Sequence, residues 1–255
     1  MRLPFHWWRT VFFLIPAIGV YTIVLGVLSI GSVLVGGKGR FAHRCARLWS
    51  WLILTTTGVF VTVDGLEHLP ADGAFLFVAN HQSFYDIPII FWNVPFDLRI
   101  IAKASLGRFP FIGGHLRRTG HILVERNSPG SSTFRQVQEL FARRQSLLVF
   151  PEGTRSLDGR LGRFRGGIFL LAIDAGLPIV PLAVRGSRHV MKKGQLMTCP
   201  ADVGLSVFSP ISTKDMTRDD AKALATRVQA IIETAVASDM DATAPVGPMA
   251  RQASA

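Results

Sequence analysis

The order of apolar and polar residues divides the chain into an apolar beginning and a longer region of short apolar runs. Residues 11–35 contain no charged residue over 25 positions, and roughly 20 apolar residues suffice to cross a bilayer core. The three glycines in this stretch would be costly in a soluble helix, whereas membrane helices contain glycine more often. We therefore predict a membrane-anchoring helix over residues 11–36, with a kink at Pro16, whose ring interrupts regular helical hydrogen bonding.

The residues on either side of this stretch support a membrane anchor. Trp7 and Trp8 precede it, and tryptophan rings favour the headgroup layer. Basic residues follow it, and such a cluster stays on the cytoplasmic side and attracts anionic lipid; these residues are Lys38, Arg40, Arg44 and Arg47. A signal peptide cleaved near Gly36 and a buried core helix are the alternatives. A second apolar run, residues 49–63, is too short to span; it lies in the interface or leads into the first strand.

From about residue 60 the pattern changes to short apolar runs separated by turn signals. Buried strands are predicted at 75–79, 98–102, 122–124, 147–150, 178–184 and 203–208. Helices are predicted from Asp86 and at 131–145, 167–175 and 217–238. Alternating strands and helices predict an α/β fold, with a central, mostly parallel sheet flanked by helices.

The same pattern predicts three regions along the chain. Residues 1–58 form the membrane anchor, as one helix or a two-helix motif, and residues 59–238 form the globular domain. Residues 239–255 are rich in alanine, proline, glycine and serine, a composition typical of a disordered tail.

Composition adds a strong positive charge to this picture. The 255 residues carry a formal net charge of +11 and an isoelectric point near 10.8. Such a balance favours an anionic partner: acidic lipid headgroups, a phosphorylated substrate or nucleic acid. Nucleic acid is disfavoured because the arginines are dispersed over separate turns and a long apolar anchor is out of place in such a protein. The only cysteines, Cys45 and Cys199, cannot build a disulfide framework or a cysteine metal site.

Residues 80–86, Asn-His-Gln-Ser-Phe-Tyr-Asp, contain a candidate base and a carboxylate to hold it. His81 and Asp86 are five positions apart and would not share a face of one helix. They can meet if His81 lies in a strand-to-helix turn and Asp86 begins the helix, a start that Pro88 favours. Asp86 would then bind one imidazole nitrogen and leave the other to deprotonate a substrate hydroxyl. The alternative is that Asp86 is a helix cap and that His81 and Ser83 are ordinary turn residues.

Residues 150–156, Phe-Pro-Glu-Gly-Thr-Arg-Ser, leave a predicted strand and turn sharply. Gly153 permits close approach of the backbone to a ligand, and Arg155 can grip a phosphate with two parallel hydrogen bonds. Glu152 can bind a substrate hydroxyl or hold Arg155. The alternative is a plain strand-end turn with a surface ion pair.

Two further cations, Lys103 and Arg126, also follow predicted strands. If the strands are parallel, their carboxyl ends meet at one edge of the sheet, where open α/β sheets bind ligands. Together with His81 and Arg155, these residues predict a single anion-binding pocket.

These segments resemble, in order, four sequence blocks of the glycerolipid acyltransferase family, specifically of 1-acyl-sn-glycerol-3-phosphate acyltransferases. The resembling segments are 80–86 (the His-x4-Asp block), 120–126, 150–156 and 179–182. Glu125 stands where the second block more often has aspartate. The resemblance extends over about residues 60–210, and the first and third blocks are its specific part.

The resemblance implies transfer of a fatty acyl group from acyl-CoA or acyl-carrier protein to the sn-2 hydroxyl of lysophosphatidic acid, giving phosphatidic acid. No metal and no bound cofactor are implied. His81 would be the base and Asp86 its orienting partner, supported by Asn80 and Ser83. The implied substrate-binding residues are Lys103, Arg126, Glu152, Gly153, Thr154 and Arg155, with the arginines and the lysine on the phosphate.

The same resemblance implies where the protein works and with what. The expected partners are membrane lipids, a lysophospholipid acceptor and a thioester donor, and not nucleic acid. The expected location is the inner membrane, with the active site on the cytoplasmic side. Another lyso-lipid acceptor, such as a lyso-ornithine lipid, and a non-catalytic lipid-binding protein remain the alternatives.

Overall fold

The computed structural model describes residues 4–35, 39–108, 110–124 and 131–242. The apolar beginning forms one continuous helical stretch, consisting of α1 (Phe5–Arg9), a π-helical turn (Thr10–Leu14) and α2 (Ile15–Leu34). The π turn ends two residues before Pro16, and it includes Phe12, whose carbonyl lies four residues before the proline and is crowded by its ring. The kink predicted at Pro16 itself stays a prediction.

Among the described residues, one helical stretch, Phe5–Ser32, is long and apolar enough to cross a membrane. Its side chains are largely exposed; the large apolar ones on its surface include Phe12, Phe13, Val20, Ile23, Val24, Val27 and Leu28. That exposure contradicts the alternative of a buried core helix and fits association with a membrane.

Helix α3 (Arg40–Thr57) follows the anchor and packs against α2. It ends at Gly58, whose φ of +74° is the left-handed conformation that glycine adopts without strain. The next residues form strand β1 (Val59–Asp64). The second apolar run is therefore divided between a helix and the strand into which it leads, which was one of the two predicted outcomes.

The globular part is built on a seven-stranded sheet in the order β1-β7-β6-β2-β5-β3-β4. The remaining strands are β2 (Leu76–Ala79), β3 (Leu98–Lys103), β4 (Ile122–Val124), β5 (Ser146–Val149), β6 (Ile179–Arg185) and β7 (Ala201–Val207). Strands β2 to β6 run parallel, whereas β7 is antiparallel to β6 and parallel to β1. The predicted mostly parallel sheet is confirmed, and each predicted strand is present with its ends within two residues.

Helices cover both faces of this sheet. They are α4 (Asp86–Asn93), α5 (Pro110–Arg118), α6 (Ser131–Ala142), α7 (Gly167–Ala175), α8 (Ser187–Val190) and α9 (Ala221–Ala242). Strand β2 contributes alternate residues to two cores: Leu76 and Val78 pack in the core that contains α7 and α9, and Phe77 and Ala79 in the core that contains α4. β2 is thus a fully buried central strand.

The end of the chain differs slightly from the prediction. Helix α9 continues to Ala242, four residues beyond the predicted end at residue 238. The predicted disordered tail falls mainly on residues 243–255, which lie outside the described residues, and the predicted division into three regions stays a prediction.

Candidate active site

The two motifs meet at the carboxyl end of the central strands. Asn80 and His81 follow directly after β2, and residues 150–156 follow directly after the neighbouring β5. The register pairs Val78 with Val149, so both strands end at the same level. The amide of Ser156 donates to the carbonyl of His81 at 2.8 Å, which joins the second motif to the first.

His81 and Asp86 form the pair that their spacing predicted. His81 lies in the turn between β2 and α4, and Asp86 is the first residue of α4. His81 Nδ1 lies 2.8 Å from Asp86 Oδ2. Because an ionised carboxylate only accepts hydrogen bonds, Nδ1 carries the hydrogen, and Nε2 of the neutral ring holds the lone pair. This is the arrangement of a general base with its orienting acid.

Backbone amides hold the carboxylate of Asp86 in place. Its Oδ2 also accepts the amides of Gln82 and Ser83, at 2.7 and 2.8 Å. The side chain is completely buried, and a buried carboxylate needs such donors in place of the water it has lost. The turn therefore holds Oδ2, the oxygen of Asp86 that faces His81.

The ring of His81 is held on its face as well as at its edge. It stacks on Phe150, with ring centroids 4.1 Å apart and an interplanar angle of 20°. Asn80 binds the main chain of Val184 in both directions, each at 2.8 Å, and so extends the pairing of β2 with β6. Ser83 Oγ donates to the carbonyl of Met191 at 2.9 Å. These contacts fix the turn that carries the base.

Glu152 joins the two motifs through main-chain amides. Its Oε1 accepts the amide of His81 at 2.7 Å, and its Oε2 accepts the amide of Gly162 at 2.8 Å. Burial raises the pKa of Glu152, while the two amides act in the opposite direction. Both carboxylate oxygens are thus engaged by the protein, and the contact of Glu152 with a substrate hydroxyl stays a prediction.

Arg155 projects from the second motif beside the first. Its Cζ lies 3.6 Å from the ring centroid of Phe84, a cation–π contact. Burial lowers the pKa of Arg155, and the charge of Asp86 acts in the opposite direction; an arginine stays charged all the same.

Lys193 Nζ binds the carbonyl of Arg155 at 2.7 Å and Thr154 Oγ1 at 3.0 Å, so it fixes the loop. Sequence reasoning did not single out Lys193, which belongs to neither motif.

A cavity of about 550 Å³ opens beside these residues. One part of its lining is polar or charged and contains His81, Thr154, Arg155 and Arg165. The other part is hydrocarbon and contains Ile100, Ile101, Ala102, Leu106, Val124, Val149, Ile168 and Leu171. The cavity therefore combines a base, two cations and apolar walls, and its volume is typical of a small-molecule site.

Arg165 is a cation of this cavity that sequence reasoning missed. The Nε and Cζ atoms of its guanidinium lie 3.3 Å from the position that a Cβ on Gly153 would occupy. Gly153 also has a φ of +69°, so a glycine here serves both the sharp turn and the close approach of Arg165. Arg165 follows the second motif by nine residues, within a run of glycines and arginines that has no distinctive spacing.

The other two predicted cations cannot be placed in the cavity. Lys103 is the last residue of β3 and pairs with Val124 of β4, at the carboxyl edge where the motifs meet. Arg126 lies outside the described residues. Their contacts with a phosphate stay predictions. Within the described ranges, no group of three or more His, Cys, Asp or Glu residues is arranged to hold a metal ion.

Comparison with known proteins agrees with this geometry. A family model described as Acyltransferase matches residues 60–185. The human 1-acyl-sn-glycerol-3-phosphate acyltransferase alpha is 31% identical over 212 residues, which cover 82% of this chain and 75% of the human protein. The crystal structure of the 1-acyl-sn-glycerophosphate (LPA) acyltransferase PlsC from Thermotoga maritima matches with a TM-score of 0.71 and 25% identity, over 91% of this chain and 97% of that one. The chain belongs to the acyltransferase family.

Within that family, the chain is similar to the 1-acyl-sn-glycerol-3-phosphate acyltransferases, which confirms the resemblance seen in the motifs. The chloroplastic enzyme BAT2 of Brassica napus is 34% identical over 215 residues. The chain spans 62% of that protein, 56% of the Cocos nucifera enzyme and 54% of the Arabidopsis thaliana LPAT1. It thus corresponds to between half and two thirds of these plant relatives.

Proposed function

We propose that this protein transfers a fatty acyl group from a thioester, acyl-CoA or acyl-carrier protein, to the sn-2 hydroxyl of lysophosphatidic acid, giving phosphatidic acid. The observation that carries the proposal is the pair of His81 and Asp86 beside a cavity that also contains Arg155. The human and plant relatives are named for the same acceptor, which supports the proposal.

The proposed reaction requires only one general base and one carboxylate that orients it. His81 Nε2 takes the proton of the acceptor hydroxyl. At the same time the hydroxyl oxygen attacks the thioester carbonyl, so that a C–O bond forms. Collapse of the tetrahedral intermediate breaks the C–S bond, and the protonated His81 returns the proton to the leaving thiolate. The buried carboxylate of Asp86 stabilises the imidazolium in between. No nucleophile of the enzyme is needed, because the substrate supplies the hydroxyl.

Two guanidinium groups are placed to bind the phosphate of the acceptor. Arg155 and Arg165 both line the cavity that contains His81. A phosphate next to the acceptor hydroxyl would bind them through charge-assisted hydrogen bonds, which position the hydroxyl at the base. Lys103 and Arg126 would add to this grip, and Gly153 and Thr154 would contact the glycerol.

The apolar walls and the anchor suit substrates that dissolve in lipid. The hydrocarbon lining of the cavity fits a fatty acyl chain. The exposed apolar helix would hold the cavity at the bilayer, where acceptor and product reside. The basic residues Arg40, Arg44 and Arg47 after it favour an inner membrane with the active site on the cytoplasmic side.

The experiment that tests the proposal is mass spectrometry of lipid products. Membranes containing the protein, or the His81→Ala variant as a control, are offered lysophosphatidic acid, lyso-ornithine lipid and lysophosphatidylcholine, each with acyl-CoA and with acyl-carrier protein. We expect phosphatidic acid above the level of the variant. Acylation of another lyso-lipid in preference to lysophosphatidic acid would overturn the acceptor, and no acylated lipid with either donor would indicate a binding protein.

A further inference from the structure

A buried serine outside both motifs contacts the carboxylate behind the base. Ser187 Oγ donates to Asp86 Oδ1 at 2.5 Å, across a separation of 101 residues. Both side chains are completely buried. The oxygen that Ser187 binds is not the one that faces His81, so the carboxylate is held at both of its oxygens.

The surrounding backbone brings Ser187 to this position. Ser187 is the first residue of α8, two residues after β6 ends at Arg185. The linking residue, Gly186, has a φ of +78°, and a Cβ there would lie 2.8 Å from the carbonyl oxygen of Asp202. A side chain at residue 186 would therefore displace Ser187.

The segment on both sides of Ser187 is also bound to the turn that contains His81. On one side, Asn80 clamps the main chain of Val184 before it. On the other side, Ser83 Oγ binds the carbonyl of Met191 after it. The hydroxyl of Ser187 is thus attached to the same turn as the carboxylate it contacts, which keeps their distance constant.

We infer that Ser187 is a positioning residue for the acyl transfer proposed above, acting through Asp86. With Ser187 on Oδ1, rotation of the carboxylate breaks a hydrogen bond, so Oδ2 stays directed at His81 Nδ1. Without the hydroxyl, Oδ1 is a buried acceptor with one donor fewer, and the carboxylate can turn toward other donors. His81 would then spend less time in the orientation that accepts the substrate proton.

The test compares Ser187→Ala with Ser187→Thr, which keeps a hydroxyl. In Ser187→Ala we expect kcat to fall by roughly ten- to a hundred-fold, which corresponds to the loss of one hydrogen bond to a charged group, while KM for the acceptor stays within about two-fold. Ser187→Thr should recover most of the lost kcat. A serine that only stabilised the fold would lower the melting temperature without this division between kcat and KM.

Ser206→Ala is the matched control. Ser206 is also buried, and its Oγ donates to Asp64 Oδ1 at 3.0 Å, between β7 and β1. This variant also loses a bond from a buried serine to a carboxylate, here the exposed one of Asp64, and neither residue lines the cavity, so kcat should not change.

A double-mutant cycle with Asp86→Asn distinguishes positioning of Asp86 from stabilisation of the fold, even if one variant is less stable. If Ser187 acts through Asp86, Ser187→Ala has little further effect on kcat in the Asp86→Asn background. A wild-type kcat in Ser187→Ala, or losses that multiply fully in the double variant, would overturn the inference. The cycle uses whichever acceptor the wild-type protein acylates; a wild-type protein that acylates none overturns the proposed function first.

Discussion

The carboxylate of Glu152 accepts the main-chain amide of His81 at 2.7 Å, so an acid of the second motif holds the candidate base of the first. Its other oxygen binds the amide of Gly162, ten residues further along the chain. One buried side chain therefore joins the turn after β2 to two points of the loop between β5 and α7. The position of His81 in the first motif therefore depends on Glu152 in the second.

Glu152→Gln should weaken both stability and turnover. Glutamine has one acceptor oxygen, and its NH₂ group would face an amide donor, so one of the two main-chain bonds is lost. We expect a loss of about 1–3 kcal/mol in the free energy of unfolding, together with a lower kcat. Denaturant unfolding and steady-state assays measure both. The exposed Glu139 of α6 offers a control, Glu139→Gln, that should change neither quantity.

Replacing the base should abolish transfer and leave the fold intact. His81→Ala removes the proton acceptor, and general-base catalysis contributes about 10²- to 10⁴-fold. His189→Ala, which removes an exposed histidine, should retain activity. Product formation and circular dichroism are the measurements. A folded His81→Ala variant with nearly normal kcat would contradict the assigned base.

Arg155→Gln should act on acceptor binding. Loss of a charge-assisted hydrogen bond of about 1.5–3 kcal/mol corresponds to a rise of roughly ten- to a hundred-fold in KM for lysophosphatidic acid. A monoacylglycerol acceptor, which lacks the phosphate, should show little change. Arg163→Gln removes an exposed arginine close by that does not line the cavity, and it serves as the control. Equal effects on both acceptors would argue against the phosphate role.

Gly153→Ala should reproduce part of this defect without removing a charge. The new Cβ would stand 3.3 Å from the guanidinium of Arg165 and would occupy a backbone with a φ of +69°. Both effects displace the cation, so KM for the acceptor should rise. Gly166→Ala is the matched control, because Gly166 has a φ of −64° and no neighbour within 4 Å of its Cβ position. Identical kinetics in the two variants would exclude a role for Arg165 placement.

Acid should destabilise the domain through His121. Its Nδ1 accepts the amide of Ile100 at 2.9 Å. Burial, followed by the charge of Arg99, lowers its pKa from 6.5 to about 3. Between these values the unfolded chain binds a proton that the folded chain does not, so stability is complete above about pH 6.5 and falls as the pH approaches 3.

The measurement is denaturant unfolding at pH 7.5 and pH 5. The contribution of His121 to the difference should be on the order of 1–2 kcal/mol. His121→Gln, whose amide oxygen can still accept the Ile100 amide, should reduce that difference. His189→Gln should not, since His189 is exposed.

The strands of this protein could be predicted because a buried strand gives a run of consecutive apolar residues in the sequence. All four residues of β2 are buried and apolar, and all four of β5 are buried, the last three of them apolar. The turn of the first motif could be predicted for a similar reason, since Pro88 marks the helix that begins at Asp86. These signals are local.

Helix α5 was not predicted, because its sequence argues against a helix. It contains two consecutive glycines, Gly113 and Gly114, and glycine is a poor helix former. A Cβ at Gly113 would lie only 2.2 Å from the carbonyl oxygen of Gly107, so close packing between segments explains the residue. Such packing has no signature in a single sequence.

The partners of the catalytic pair were missed for the same reason. Ser187 is 101 residues from Asp86, and Glu152 is 71 residues from His81. The sequence indicated that Glu152 lies at the site, but the direction of its carboxylate depends on where Gly162 returns. Residues brought together only by the sheet cannot be paired from spacing.

The bare apolar side of the amino-terminal helix determines how this protein must be assayed. Phe12 and Phe13 expose 67% and 58% of their surface, so extraction without an amphiphile should lead to self-association. Detergent micelles or vesicles must therefore accompany the protein, and the proposed lyso-lipid acceptor would partition into them. Rates will then follow the mole fraction of acceptor at that interface, and diluting the acceptor with inert lipid at constant total concentration should slow turnover.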